Sequence, residues 1–69
     1  MTQFLVEWAS GAFQTVTGEQ LAKDIEEYRQ APKQIYRLTP GQQPKHYRAV
    51  IGNNYWYLAD DYGNHLMIL

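Results

Sequence analysis

The sequence predicts a small α+β domain, of element order ββαβββ, in which one helix packs on an antiparallel sheet. Three observations predict it: short segments that alternate apolar and polar residues, a helix-start motif at Thr17, and turn residues between the β segments. The 69 residues suffice for one domain, 1–69. The main alternative is a partial barrel, in which the strands after the helix curl round and the first hairpin and helix pack at one end.

The first two β segments are expected to form a hairpin. Gln3 to Ala9 alternates, with its apolar face formed by Phe4, Val6 and Trp8. Ser10-Gly11 predicts a two-residue turn, because glycine accepts the positive φ that such turns need. Ala12 to Val16 returns as the second strand, with aromatic and β-branched residues that suit a sheet.

The helix start carries a capping box, with Thr17 as N-cap and Gln20 three positions later. Apolar residues at helical spacing then predict a stripe that faces the sheet, formed by Leu21, Ile25 and Tyr28. Pro32 predicts that the helix ends just after Gln30. The charged residues are expected on the solvent side: Lys23, Asp24, Glu26 and Glu27.

Four further segments are expected to be β: Gln34 to Thr39, His46 to Ile51, Tyr55 to Ala59 and His65 to Leu69. Proline, glycine and asparagine separate them, as turns require. The predicted core combines the apolar faces of these elements: Phe4, Val6, Trp8, Leu21, Ile25, Tyr28, Leu38, Ala49, Ile51, Trp56, Leu58, Leu66 and Ile68.

Composition narrows the functional classes. The absence of cysteine excludes disulfides and makes a structural zinc site a poor expectation. No phosphate loop, dinucleotide motif, nucleophile elbow or calcium loop is present, so we predict no cofactor, no metal and no enzymatic activity. No signal peptide and no apolar run of about 20 residues occur, which favours a cytoplasmic protein without membrane contact.

Charge is segregated along the chain. Residues 1–28 hold five acids and one base, whereas residues 29–48 hold five bases and no acid. This basic segment either balances the acidic helix or binds nucleic acid, since arginine and lysine pair with phosphates while rings stack on bases. The nucleic-acid alternative uses Lys33, Tyr36, Arg37, Lys45, Tyr47 and Arg48.

The basic segment also contains a weak internal echo, in which residues 32–37 resemble residues 44–48 with one residue fewer. A one-residue offset reverses the face on which each side chain lies. We therefore do not expect a structural duplication.

The aromatic run Tyr55-Trp56-Tyr57 places aromatic side chains on both faces of its strand. One helix covers only one face, so the other face is covered by a further layer or a partner, or exposes its tyrosines. Tyrosine and arginine are enriched in interface hot spots. The candidate partner contacts are Tyr55, Tyr57, Arg37 and Arg48.

These observations favour a non-enzymatic interaction module that binds a protein partner or itself. The apolar segment His65 to Leu69 is expected at a sheet edge, where strands pair readily with another chain. The length, the initiator methionine, seven glutamines and the lack of targeting signals are typical of small bacterial or phage accessory proteins.

Overall fold

Six antiparallel strands form one sheet in the order β2-β1-β3-β4-β5-β6, with helix α1 packed on one face. The computed structural model describes residues 2–69. The elements are β1 (Gln3–Glu7), β2 (Phe13–Thr17), α1 (Gly18–Tyr28), β3 (Gln34–Leu38), β4 (Lys45–Ile51), β5 (Trp56–Ala59) and β6 (His65–Ile68). The α+β class is confirmed. All four segments expected after the helix are strands, so the full order is ββαββββ, one strand more than the predicted notation ββαβββ counted.

Strand register assigns each side chain to one of two faces. Phe4 lies opposite Val16 on β2 and Arg37 on β3, so these three share a face. We call this side, which α1 covers, the helix face. We call the other side the open face; within residues 2–69 no second layer packs on it. Its members include Leu5, Tyr36, His46, Arg48, Val50 and Tyr57.

The sheet curves around the helix without closing. Six strands about 4.8 Å apart span about 24 Å, whereas a helix with its side chains is about 10 Å wide. Curvature of the sheet bridges this difference in width. It brings Met67 on β6 close to Gly18, which follows β2 at the opposite edge: a Cβ on Gly18 would lie 3.4 Å from Cε of Met67. Leu66 and Leu69 pack on the core. Within residues 2–69, β2 and β6 do not pair with each other, so the sheet is not closed and the barrel alternative is wrong.

The core lies between α1 and the centre of the sheet. Its fully buried side chains are Phe4, Val6, Leu21, Ile25, Ile35 and Leu58. Trp8 is also buried, and its Nε1 donates to Oε1 of Gln14 at 2.7 Å. Ala49 and Trp56 pack against this cluster, as predicted. Ile35, Tyr47 and Val16 were missing from the predicted core, although the first two lie on central strands that are covered on the helix face.

Four predicted core residues were wrong. Tyr28 and Ile51 are 56% and 63% exposed, because they lie at the ends of the helix and of β4. The Tyr28 ring nevertheless packs edge-on against buried Trp8, with centroids 5.4 Å apart. Leu38 shares the face of Tyr36 and is half-buried there rather than under the helix. Ile68 is 67% exposed, since a bulge at Leu58/Ala59 shifts the register and sets Ile68 opposite Tyr57 on the open face.

Of the two hydrogen bonds of the predicted capping box, one is formed. Oγ1 of Thr17 accepts from the backbone N–H of Gln20 at 3.2 Å. The Gln20 side chain donates instead to Oδ1 of Asp24 at 2.8 Å. Asp24 is buried rather than on the solvent side as expected. The helix ends at Tyr28, two residues earlier than predicted.

Two hairpins use the same turn. The N–H of Trp8 donates to the Ala12 carbonyl and that of Gly11 to the Trp8 carbonyl, and Gly11 has φ +90°. The loop is thus three residues long, not the expected two, because glycine adopts the left-handed position that follows a type I turn. Asp60 to Asn64 repeats these bonds, with Gly63 at φ +86°.

Candidate interaction surface

The open face carries a cluster of ring and arginine side chains near β5. We call Tyr55, Tyr57, His65, Ile68 and Arg48 the aromatic patch. The ring of Tyr57 stacks on His65, with centroids 4.1 Å apart and planes at 26°. Its other neighbour is Tyr55, at 5.9 Å. Tyr57 is half-buried, although within residues 2–69 no helix lies above it.

Strand register brings the remaining members of the patch to Tyr57. Val50 on β4 and Ile68 on β6 lie directly opposite Tyr57. Arg48 lies opposite Ala59, so it is a diagonal neighbour of Tyr57 on the same face. Ile68 is 67% and Tyr55 39% exposed, and Arg48 is also exposed. The patch therefore combines rigid aromatic surface with an accessible guanidinium.

A polar chain borders the patch on the open face. Nδ1 of His46 donates to Oδ1 of Asp61 at 2.8 Å, and its Nε2 lies 2.9 Å from Oε1 of Gln34. The hydroxyl of Tyr36 donates to the same Gln34 oxygen at 3.5 Å, a long bond. Both nitrogens of His46 thus have partners within the protein.

The loop beside this chain is organised by one carboxylate. The backbone N–H of Asn64, at 2.9 Å from Oδ1, lowers the pKa of Asp60 below its ordinary value, although burial acts in the opposite direction. The N–H of Tyr62, the Asn64 side chain and Lys45 lower the pKa further. Lys45 is 3.9 Å away and largely exposed, so its ion pair is weak. The carboxylate of Asp60 therefore holds the turn together by accepting from its backbone N–H groups.

The predicted partner contacts are only partly brought together. Tyr55, Tyr57 and Arg48 meet in the aromatic patch, and Tyr55 and Tyr57 point away from Trp56 and Leu58 as alternation predicts. Arg37 lies on the helix face instead, opposite Phe4 and Lys45. Among residues 2–69, the buried Nε of Arg37 has no hydrogen-bond partner.

The residues of the nucleic-acid alternative lie on both faces of the sheet. Tyr36 and Arg48 are on the open face, whereas Arg37, Lys45 and Tyr47 belong to the helix face. Tyr47 is only 4% exposed, so its ring is not available to stack on a base. Lys33 is exposed in the loop before β3, where its N–H donates to the Glu7 carbonyl. Residues 32–37 and 44–48 are related with an offset of one residue. Equivalent side chains such as Tyr36 and Tyr47 therefore lie on opposite faces of the sheet.

A cleft of about 510 Å³ lies between the outer side of α1 and the ends of β4 and β5. Its walls include Ala22, Glu26, Arg29, Ile51, Tyr55 and Trp56. Glu26 and Arg29 supply one charge of each sign, and Trp56 supplies an apolar floor. In the described part of the chain, no group of three or more histidine, aspartate or glutamate side chains is positioned to hold a metal ion.

Sequence reasoning missed His65 and Ile68 as members of the patch. Ile68 was missed because a bulge changes which residues face outward, and no local pattern marks that bulge. The bond between His46 and Asp61 joins residues 15 apart in sequence and carries no local signal either. Tyr57 was found because alternation within one strand is a local property.

Comparisons with known proteins return no match for this chain. No family model matches it, no curated protein matches it, and no solved structure matches it. Within residues 2–69, the helix falls short of the length and apolar character that crossing a membrane demands.

Proposed function

We propose that this protein is a non-enzymatic interaction module that binds a protein partner or itself, with the aromatic patch as the principal contact surface. The observation that carries the proposal is that Tyr57, held between Tyr55 and His65, lies on a sheet face that no second layer covers within residues 2–69. Tyrosine and arginine in such positions are typical of binding hot spots.

The chemistry of the patch supports a protein as the partner. Tyr57 is held in place by its neighbours, so little side-chain entropy is lost when a partner covers it. Arg48 offers five donors for carboxylate or carbonyl oxygens. Ile68 adds exposed apolar area at the rim. Tyr55 also lines the cleft beside α1, whereas Tyr57, Arg48 and Ile68 offer an open surface.

The internal pairing of His46 supports a non-enzymatic role. An Asp–His pair is a common element of active sites, but it serves catalysis only where the second nitrogen faces a substrate or nucleophile. Here that nitrogen lies against Gln34. We propose that the chain of Tyr36, Gln34, His46 and Asp61 stiffens the open face beside the patch.

The test is affinity capture with defined variants. Tagged wild type, Tyr57→Ala, Arg48→Ala and the control Lys33→Ala are incubated with lysate of the native host, and bound proteins are quantified by mass spectrometry. We expect a protein that wild type and the control retain and that both patch variants lose by about tenfold or more, as for hot-spot residues. Circular dichroism verifies folding. Equal capture by all four variants would remove the patch from the proposal.

Nucleic-acid binding is the alternative function, and its candidate residues do not share one surface. Its test is a titration of labelled mixed oligonucleotides at several salt concentrations. Phosphate contacts predict steep weakening with salt. Loss of binding in Arg48→Ala and Lys33→Ala would support the alternative, and no binding at low salt would end it.

We further propose that the module acts in the cytoplasm as a bacterial or phage accessory protein. The cysteine-free composition supports a reducing compartment, because disulfides are rare there. Fluorescence microscopy of a tagged chain in its native host tests the compartment. Fluorescence confined to the envelope would contradict it.

A further inference from the structure

β2 forms an outer edge of the sheet and lacks several features that normally prevent edge pairing. Such features are charges, proline, bulges and very short length. β2 has five residues, Phe13–Thr17, none of them charged and none proline. Its ladder with β1 runs through five consecutive pairs without a register shift. The other edge, β6, has four residues and lies beside a bulge. β2 is therefore the better template for an added strand.

The backbone of β2 offers hydrogen-bonding groups at defined positions. The N–H of Trp8 donates to the carbonyl of Ala12, so this pair is hydrogen-bonded. Bonded and non-bonded pairs alternate in an antiparallel ladder, which makes Gln14 and Val16 bond to β1. Phe13 and Thr15 consequently direct their N–H and C=O groups away from the sheet. Both residues are exposed.

The side chains of β2 are complementary to a second β2. If Thr15 lies opposite Thr15 of a second copy, Phe13 lies opposite Thr17 and Gln14 opposite Val16. Threonine pairs and aromatic pairs with β-branched residues are favourable across strands. No like charges meet, because the strand has none. Phe13, which is 62% exposed, would lie beside Thr17 of the second copy.

We infer that β2 pairs antiparallel with β2 of a second copy of this chain, across a two-fold axis at Thr15. The pairing joins two six-stranded sheets into one continuous sheet. The contact is isologous, as in most symmetric dimers. This inference rests on the proposed function, since it identifies the chain as one of its own partners, but it uses an edge separate from the aromatic patch.

Charge at the axis tests the pairing. Analytical ultracentrifugation over a concentration series should give a dimer for wild type. Thr15→Lys and Thr15→Glu should each self-associate at least about tenfold more weakly than wild type, because like charges face each other across the axis. An equimolar mixture of the two variants should restore the dimer, which misfolded variants would not do. A monomeric wild type, a dimeric Thr15→Lys variant or an unrestored mixture would each overturn the inference.

A cysteine provides a second test, since the chain has no cysteine of its own. Hydrogen-bonded residues opposite each other have Cα atoms about 5.5 Å apart, within the range for a disulfide. Thr15→Cys should therefore give a covalent dimer on mild oxidation. Gln43→Cys, exposed in the loop before β4, is the control and should remain monomeric. Equal crosslinking of the two variants would contradict the inference.

The two proposals fail separately. Thr15→Lys leaves Tyr57 and Arg48 unchanged, so it should still capture a protein partner that binds the aromatic patch. Loss of dimerisation in this variant with capture retained supports both proposals. A monomeric wild type that still captures its partner through Tyr57 overturns only the β2 pairing.

Discussion

The ring of Tyr57 stacks on the ring of His65 at 4.1 Å, on the face of the sheet that α1 leaves uncovered. A bulge between Leu58 and Ala59 contributes to this contact, because it offsets β6 relative to β5. The stack joins β5 to β6 within the aromatic patch. It links the proposed binding surface to the stability of the β5–β6 hairpin.

The stack should contribute measurably to folding. His65→Ala removes one ring of the pair, and we expect the free energy of unfolding to fall by about 1 kcal/mol, as for other aromatic pairs. His65→Phe keeps a ring and should remain close to wild type. Urea denaturation monitored by tryptophan fluorescence measures both variants. Equal stability of the alanine and phenylalanine variants would show that the stack contributes nothing.

The hydrogen bond from Trp8 to Gln14 satisfies a buried indole N–H. Gln14→Leu removes the acceptor, so we expect a loss of about 1–3 kcal/mol of unfolding free energy. Gln14→Glu keeps an oxygen at this position and serves as the matched control. Urea denaturation compares the two. If the leucine variant is as stable as the glutamate variant, water rather than Gln14 satisfies the indole.

The N-cap at Thr17 should stabilise the helix start. Its hydroxyl accepts from the N–H of Gln20, and Thr17→Ala leaves that N–H without this partner. We expect a loss of about 1 kcal/mol, whereas Thr17→Ser should retain most of the stability. Thermal unfolding followed by circular dichroism at 222 nm measures the difference. Identical midpoints for alanine and serine would contradict a capping role.

The lowered pKa of Asp60 predicts a pH dependence with a defined sign. Because its pKa is lower in the folded chain than in the unfolded one, ionised Asp60 stabilises the fold. This stabilisation is fully present above the unfolded pKa, about 3.9, and is lost as pH falls through the lower folded pKa. Asp60→Asn removes it at every pH.

Urea denaturation between pH 2 and pH 7 tests this expectation. The difference in stability between wild type and Asp60→Asn should be largest near neutrality and should shrink at the acidic end. Glu27→Gln, at an exposed helix position, is the control and should not alter the profile. A constant difference across the range would show that Asp60 acts through its shape alone.

Local patterns predicted the elements well, since alternation, capping and turn chemistry each act over a few residues. For Tyr36 and Tyr47, local patterns also predict the face of the sheet on which each side chain lies. The one-residue offset between their segments predicts opposite faces, and the structure has Tyr36 on the open face and Tyr47 buried. The division of the basic residues between two faces was therefore implicit in the sequence.

The aromatic patch was only partly predictable. Tyr55, Tyr57 and Arg48 were found, while Arg37 was assigned to the same group because its strand face was not known. Its face depends on the pairing of β3 with β1, a contact between segments about thirty residues apart. Such pairing follows from the whole arrangement of strands rather than from any short window.

By itself, the sequence determined the class, the segments and the alternation within each strand, because these follow from short-range backbone and side-chain preferences. Only the tertiary structure decided which face α1 covers, how the sheet curves and where its register shifts. Ile35 is buried at the centre of the sheet, and Ile51 is exposed at a strand end, although the two are chemically identical. Tyr57 is part of an open surface because α1 covers one of the two faces of the sheet and Tyr57 lies on the other.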